Sequence, residues 1–176
     1  HILAPQYPEG SHWAGAEMLR RLEALLDSVS AKESCDPSRI YLYGYSAGAI
    51  GLLELIRRRP HFYAAALPVC GAAEDRSLEE LADTPLWFFH AEDDRIIPSG
   101  AGSSLAGQRR LLGSAPLSER LRALGAKEIR LTLYPAGYME KEYQLNPHCS
   151  WVPAGEDEEA GRWLFSAVRD AALHNV

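Results

Sequence analysis

The sequence has few cysteines, no long apolar run and no excess of positive charge, and each of these absences excludes a class of protein. Its three cysteines match neither a zinc-binding nor a CxxC spacing, and an odd, small number does not build a disulfide scaffold. No uninterrupted apolar run approaches the roughly 20 residues of a membrane-spanning helix. The formal net charge of -6 disfavours nucleic acid and anionic membranes as partners. None of this fixes the compartment, which stays open.

The sequence does have the composition of an ordinary globular domain. Its 176 residues are 47% hydrophobic and 24% charged, and we expect a single domain over residues 1–176. We find no internal repeat and no domain linker. Because the chain opens on His1 rather than methionine, we expect it to be processed, trimmed or fragmentary.

Apolar runs without alternation, separated by segments of helical periodicity, follow one another along the chain. The strands predicted from them are residues 1–5, 40–43, 64–70, 86–90 and 129–134. The predicted helices are residues 13–29, 47–59, a short one from 77, 117–124 and 156–173. Strands that are apolar on both faces and alternate with helices indicate a parallel sheet covered on both sides. We therefore predict an α/β fold, a three-layer α/β/α sandwich with a mostly parallel sheet of about five strands.

Ser46 lies in the stretch Gly44-Tyr45-Ser46-Ala47-Gly48, where a strand is predicted to end and a helix to begin. A G-x-S-x-G pattern at such a turn is typical of a nucleophile elbow, in which the two glycines avoid collisions with the neighbouring strand and helix. A glycine-rich corner with an incidental serine is the alternative. A serine hydroxyl is a poor nucleophile unless a base accepts its proton and a carboxylate orients that base. The rest of the chain has to supply both groups.

Later segments supply an acid and a histidine in the order that this kind of elbow requires. The strand at 86–90 is followed by three acids, Glu92, Asp93 and Asp94. They are candidates for the orienting acid, although a solvated acidic turn is also compatible. After the last predicted strand come His148, in the loop "NPHCSW", and His174, in the C-terminal tail, and we favour His148 as the base. His90 and these acids have no established metal-site spacing, so we predict no metal.

Five stretches of the chain resemble successive motifs of one family, the α/β-hydrolases of the dienelactone-hydrolase, feruloyl-esterase and polyhydroxybutyrate-depolymerase-like group, sometimes labelled predicted peptidases. They are "APQYPEGSHW", "DPSRIYLYGYSAGAIG", "FYAAALPVCGAAE", "TPLWFFHAEDDRIIP" and "HCSW". The resemblance runs nearly from end to end and implies a truncated α/β-hydrolase fold. It also implies a serine esterase that needs no cofactor and acts on a small-molecule ester.

The resemblance implies a role for each site residue. Ser46 would attack an acyl carbonyl, His148 would act first as base and then as acid, and Asp94 would fix the imidazole. The register of the acid motif, with its Ile-Pro ending, selects Asp94 rather than the preceding aspartate. The backbone N–H of Ala47 would be one donor to the oxyanion.

Two aromatic residues could complete this site. Tyr45 precedes the nucleophile and Trp151 follows the histidine, so both could line the acyl or leaving-group side. Simple packing is the alternative for both.

The family's upstream strands and its His-Gly loop, which gives the second oxyanion N–H, are absent from this chain. The missing strand would lie beside the nucleophile strand, so we do not expect the family sheet with one edge trimmed. Residues 1–5 could pair with the nucleophile strand instead, which would allow the N–H of Gln6 to replace the lost donor. A second copy of the chain could also fill the gap in a homodimer, or the chain is a fragment.

We therefore predict a serine hydrolase that cleaves carboxylic esters through a Ser-Asp-His triad and an acyl-enzyme. A serine peptidase or acyltransferase of the same fold is one alternative, because the spacing of the motifs does not reveal the leaving group. A non-catalytic, hydrolase-like binding module is another, and the missing oxyanion loop favours it.

Overall fold

Four parallel strands form the main sheet of the computed structural model, which describes residues 1–103 and 111–169. A second, small sheet is antiparallel and has three strands. In chain order the strands are β1 (Tyr41–Tyr45), β2 (Ala65–Val69), β3 (Ala72–Glu74), β4 (Leu86–Ala91), β5 (Ala101–Ser103), β6 (Leu111–Gly113) and β7 (Ile129–Tyr134). The main sheet has the order β1-β2-β4-β7 and the small one the order β3-β6-β5. The carboxyl ends of the four parallel strands therefore meet at one edge, where α/β proteins bind ligands.

Helices cover both faces of the main sheet. They are α1 (Ala16–Lys32), α2 (Ala47–Arg58), α3 (Ser114–Ala123), α4 (Tyr138–Tyr143), α5 (Trp151–Glu156) and α6 (Glu158–Ser166), with 3₁₀ turns at Leu78–Leu81 and Pro147–Cys149. On one face, Leu53 of α2 and Leu121 of α3 pack in a core with Phe88 of β4. On the other face, Trp163 of α6 packs with the next strand residue, Phe89. The predicted α/β class and helix-covered parallel sheet are thus confirmed.

The main sheet has four strands rather than about five because the strand predicted at residues 1–5 does not form. These residues have no regular structure, and Ile2 is 96% exposed. A strand needs a neighbour for its backbone groups, and within the described residues β1 pairs with β2 alone and is an edge of the sheet. The expectation that the sheet is not simply trimmed at one edge was therefore wrong.

The loop predicted between residues 135 and 153 contains α4, the 3₁₀ turn at Pro147–Cys149 and the start of α5. Helices of six residues are too short to show a helical period, so the sequence pattern missed them. The helix predicted at residues 156–173 begins at Glu158 and ends at Ser166; its last predicted residues, like His174, lie outside the described residues. Among the described residues, no helix is both long and apolar enough to span a membrane.

Candidate active site

Ser46 occupies the single residue between β1 and α2, with backbone angles of φ 54° and ψ -125°. A positive φ is unfavourable for a residue with a Cβ, so the surrounding structure has to hold it. Two sets of hydrogen bonds do so. The N–H of Ser46 donates to the carbonyl of Val69 in β2 at 2.9 Å, and its carbonyl accepts the N–H groups of Ala49 and Ile50 in the first turn of α2. The serine is therefore held in a strained turn at the carboxyl edge of the sheet.

Of the two glycines that flank the serine, Gly44 is required by packing. A Cβ placed there would lie 2.7 Å from the carbonyl oxygen of Gly48, far inside van der Waals contact. A Cβ placed on Gly48 itself would meet no heavy atom of the described residues within 4 Å. The steric reason expected for both glycines thus holds for Gly44 and is wrong for Gly48.

Three side chains from distant parts of the sequence form a continuous hydrogen-bonded line. The Oγ of Ser46 is 2.8 Å from Nε2 of His148, and Nδ1 of His148 is 2.7 Å from Oδ2 of Asp94. Asp94 follows β4, and His148 lies in the 3₁₀ turn Pro147–Cys149. The side chain of Asn146 accepts the backbone N–H of His148 at 2.9 Å, which fixes this turn. The ring of His148 is therefore bonded on both nitrogens, to a hydroxyl on one side and a carboxylate on the other.

Asp94 is buried, and its carboxylate is surrounded by donors. Its Oδ1 accepts the backbone N–H groups of Ile96, at 2.8 Å, and Ile97, at 3.1 Å. Burial alone would raise the pKa of Asp94, but hydrogen bonds from His148, from His90 and from the backbone outweigh burial and lower this pKa below its ordinary value. The carboxylate is therefore ionised at neutral pH and stabilises positive charge on the neighbouring imidazole.

The other two acids after β4 have a different position. Asp93 accepts the backbone N–H of Gly137 at 2.9 Å, and Glu92 accepts that of Ala136 at 3.2 Å. Both carboxylates thus hold the turn that follows β7, and neither contacts His148 in the way that Asp94 does. The structure places the predicted acid, and not its two neighbours, against the histidine.

The candidate oxyanion donors differ in their surroundings. Ala47 is the first residue of α2, so its N–H has no acceptor within the helix and points, like other first-turn donors, toward the helix N-terminus. Gln6 lies exposed in the irregular N-terminal segment. No hydrogen bond in the described part of the chain joins Gln6 to Ser46, Asp94 or His148.

Tyr45 and Trp151 meet beside the histidine. Their ring centroids are 4.8 Å apart, and the rings of Trp151 and His148 lie nearly perpendicular, with 5.6 Å between their centroids. Tyr45 is 49% exposed, so the pair forms part of the accessible surface around the candidate base.

One residue of this site, His90, was not identified from the sequence as part of it. His90, in β4, lies with its Nε2 3.3 Å from Oδ2 of Asp94. Sequence reasoning considered it only as a metal ligand, and in residues 1–103 and 111–169 no three His, Cys, Asp or Glu side chains are grouped as a metal site.

The chain is similar to solved structures of esterases and of an acylaminoacyl peptidase. A structure described as a thermostable esterase has a TM-score of 0.76 and 34% identity, over 87% of this chain and 37% of that one. Esterase PE8 has a TM-score of 0.53 and 23% identity, over 75% of this chain and 59% of its own. The acylaminoacyl peptidase of Pyrococcus horikoshii has a TM-score of 0.57 and 15% identity, over 85% of this chain and 28% of its own.

The chain spans less than two thirds of the length of each of these proteins. No family model and no curated protein sequence matches it. The two neighbours below 25% identity carry information on the fold alone, whereas the thermostable esterase is also a relative in sequence.

Proposed function

The chain has the α/β-hydrolase fold, and we propose that it cleaves small carboxylic esters with Ser46 as nucleophile, His148 as base and Asp94 as orienting acid. The observation that carries this proposal is the hydrogen-bonded line from Ser46 Oγ through the imidazole to Asp94, with distances of 2.8 and 2.7 Å. A serine without such a line of hydrogen bonds to a base and an acid is not activated as a nucleophile. The 34% identity to a thermostable esterase supports an ester as the substrate.

The mechanism follows from where each proton sits. The carboxylate of Asp94 only accepts, so Nδ1 of His148 carries a proton and the lone pair of Nε2 faces the hydroxyl of Ser46. As Oγ forms a bond to the ester carbonyl carbon, Nε2 takes the hydroxyl proton, and ionised Asp94 stabilises the imidazolium. The tetrahedral intermediate then expels the alcohol, which receives that proton. Water attacks the acyl-serine by the same route, and the carboxylic acid is released.

The negative charge on the carbonyl oxygen needs donors, and we propose the N–H of Ala47 as the first and the N–H of Gln6 as the second. The segment next to Gln6 packs toward α2: the ring of Tyr7 contacts that of Trp13 at 4.9 Å, and Trp13 lies against Gly51. Gln6→Pro removes this N–H, and Gln6→Ala keeps it. We expect a loss of about 100- to 1000-fold in kcat for the proline variant alone. Equal kcat values in the two variants would rule Gln6 out.

Tyr45 and Trp151 are proposed to line the substrate side of the site. Trp151 contacts both the His148 ring and Tyr45, and these contacts support a place for the aromatic pair beside the proposed base. Trp151→Ala should raise KM and should do so unequally across a series of acyl chain lengths. A uniform effect on all chain lengths would mean that the pair serves packing only.

We also propose that a second copy of the chain pairs along the β1 edge. The strand has the uncharged sequence Tyr-Leu-Tyr-Gly-Tyr, and Tyr43 and Tyr45 are 48% and 49% exposed. Two such edges can meet without like-charge repulsion. Light scattering should give a dimer that Tyr43→Asp converts to a monomer. A monomer at high concentration before any substitution would contradict this pairing.

Turnover of p-nitrophenyl esters by matched variants tests the proposed function. Ser46→Ala should abolish turnover, whereas Ser28→Ala, on the exposed side of α1, should leave it unchanged. Comparing esters with amides of the same acyl group separates an esterase from a peptidase. Turnover that survives in Ser46→Ala would overturn the assignment of the nucleophile.

A further inference from the structure

His90 is fully buried at the end of an apolar row. Leu86 and Phe88 precede it on the same face of β4 and belong to the core against α2 and α3. An imidazole in such a place is costly unless both ring nitrogens have hydrogen-bond partners. The structure supplies these partners: Nε2 faces the loop that carries the candidate catalytic acid, and Nδ1 faces the start of α3.

The proton on His90 can be assigned from its neighbours. Nε2 lies 2.8 Å from the carbonyl oxygen of Ile97 and 3.3 Å from Oδ2 of Asp94, and both of these groups only accept. Nε2 therefore carries a hydrogen. Nδ1 lies 2.8 Å from the hydroxyl of Ser114, the first residue of α3, which is also fully buried. The same hydroxyl lies 3.4 Å from the carbonyl oxygen of Gly71, and because Nδ1 is the nearer partner we assign the hydroxyl hydrogen to Nδ1.

These contacts close the acid loop on itself. Ile97 gives its N–H to Oδ1 of Asp94 at 3.1 Å, and its carbonyl accepts from His90. The Oδ2 that His148 bonds at 2.7 Å is also the oxygen that lies 3.3 Å from Nε2 of His90. The carboxylate of Asp94 is thus held from both sides and cannot rotate without breaking a bond to a buried group.

We propose that His90, which carries a proton on Nε2 because both partners of that nitrogen only accept, is the positioning residue that aims Asp94 at His148. This inference rests on the proposed function, because it assigns His90 a part in the same site. His90 does not touch Ser46 and acts only through the acid. Its loss should therefore lower kcat and leave KM unchanged.

Three variants separate positioning from packing. His90→Leu removes the donor, His90→Gln keeps an N–H near the place of Nε2, and Phe88→Leu damages the same core row without touching the acid loop. We expect His90→Leu to lower kcat by about 100-fold, the cost of a misplacement of roughly 1 Å. His90→Gln should recover most of this loss. Phe88→Leu should lower the Tm by a similar amount and keep kcat. Equal kcat values in His90→Leu and Phe88→Leu would overturn the proposal.

A measurement that needs no turnover keeps this inference separate from the esterase proposal. Imidazole ¹⁵N NMR of the Ser46→Ala protein should show His90 protonated on Nε2 and bare on Nδ1. Ser114→Ala should keep the proton on Nε2, because both partners of that nitrogen remain, and His90→Leu should shift the Nδ1 proton signal of His148. A His90 ring protonated on Nδ1 instead, or an unchanged His148 signal in His90→Leu, would contradict positioning even in a protein that cleaves no ester.

Discussion

A single methyl group should have opposite effects at the two glycines around Ser46. In Gly44→Ala the new Cβ would lie 2.7 Å from the carbonyl oxygen, 2.8 Å from the carbonyl carbon of Gly48 and 3.1 Å from the N of Ala49. These are backbone atoms, so no side chain can rotate away to make room. The first turn of α2 has to move, and Ser46 moves with it.

The cost of Gly44→Ala can be set from this geometry. Overpacking of a close contact costs about 1–3 kcal/mol, and in a chain of 176 residues each kcal/mol lowers the Tm by about 2–4 °C. Relieving the clash requires a shift of roughly half an ångström or more, and a displacement of about 1 Å at a catalytic group can cost 100-fold in rate. We therefore expect Gly44→Ala to lower the Tm by about 2–12 °C. We expect its effect on turnover to be larger in proportion than its effect on stability.

Gly48→Ala should be neutral or stabilising. The new Cβ meets no heavy atom of the described residues within 4 Å, and Gly48 has no positive φ. Alanine is favoured over glycine in a helix by up to about 1 kcal/mol. Urea unfolding and ester turnover of both variants provide the assay. If the two variants were equally destabilised, or if Gly48→Ala were the worse, the steric account of the elbow would be refuted.

Three further predictions concern the acid and the support of the elbow. Asp94→Asn should lower kcat by about 10³- to 10⁴-fold. Asp93→Asn should have little effect, because that carboxylate holds Gly137. Equal losses of kcat in the ester assay would mean that Asp94 is not the orienting acid. Because the pKa of Asp94 is lowered on folding, its ionised form adds stability that is present above about pH 4 and is lost as the pH falls further. In urea unfolding, the difference in free energy of unfolding between the wild type and Asp94→Asn should then disappear below that pH. A difference that stays constant with pH would contradict a lowered pKa of Asp94. Gly71→Ala should clash with the Cβ of Ala49, 2.5 Å away, and Ala49→Gly should relieve this clash. In a double-mutant cycle, the free energies of unfolding should show a coupling of about 0.5–3 kcal/mol between the two sites. Additive effects would disprove the contact.

The main features of the site could be predicted because they depend on local chemistry and chain order. A serine in a G-x-S-x-G corner, an acid after a buried strand and a histidine after the last strand are all visible in the sequence. In a parallel sheet the carboxyl ends of the strands meet at one edge, so the three groups have to approach one another. The structure brings Ser46, Asp94 and His148 within hydrogen-bond distance.

Features that depend on what a segment packs against could not be predicted. Residues 1–5 fit a strand, but a strand forms only when its backbone pairs with a neighbour, and these residues stay irregular although β1 has a free edge in the described part of the chain. From the sequence, His90 could be considered only as a possible metal ligand, because the partners that define its role, Ser114 and the carbonyl of Ile97, are brought to it only by folding. Gly48 likewise matched the motif, although the space around it is open.

The central claim is that Ser46 is an activated nucleophile, and reaction with a fluorophosphonate probe followed by peptide mapping tests it most directly. The probe needs a serine whose proton is taken by a base, and its adduct resembles the charged tetrahedral state. We predict an adduct on Ser46 that is lost in His148→Ala. No adduct on Ser46, or one that persists without the histidine, would contradict the account and would favour a hydrolase-like binding module.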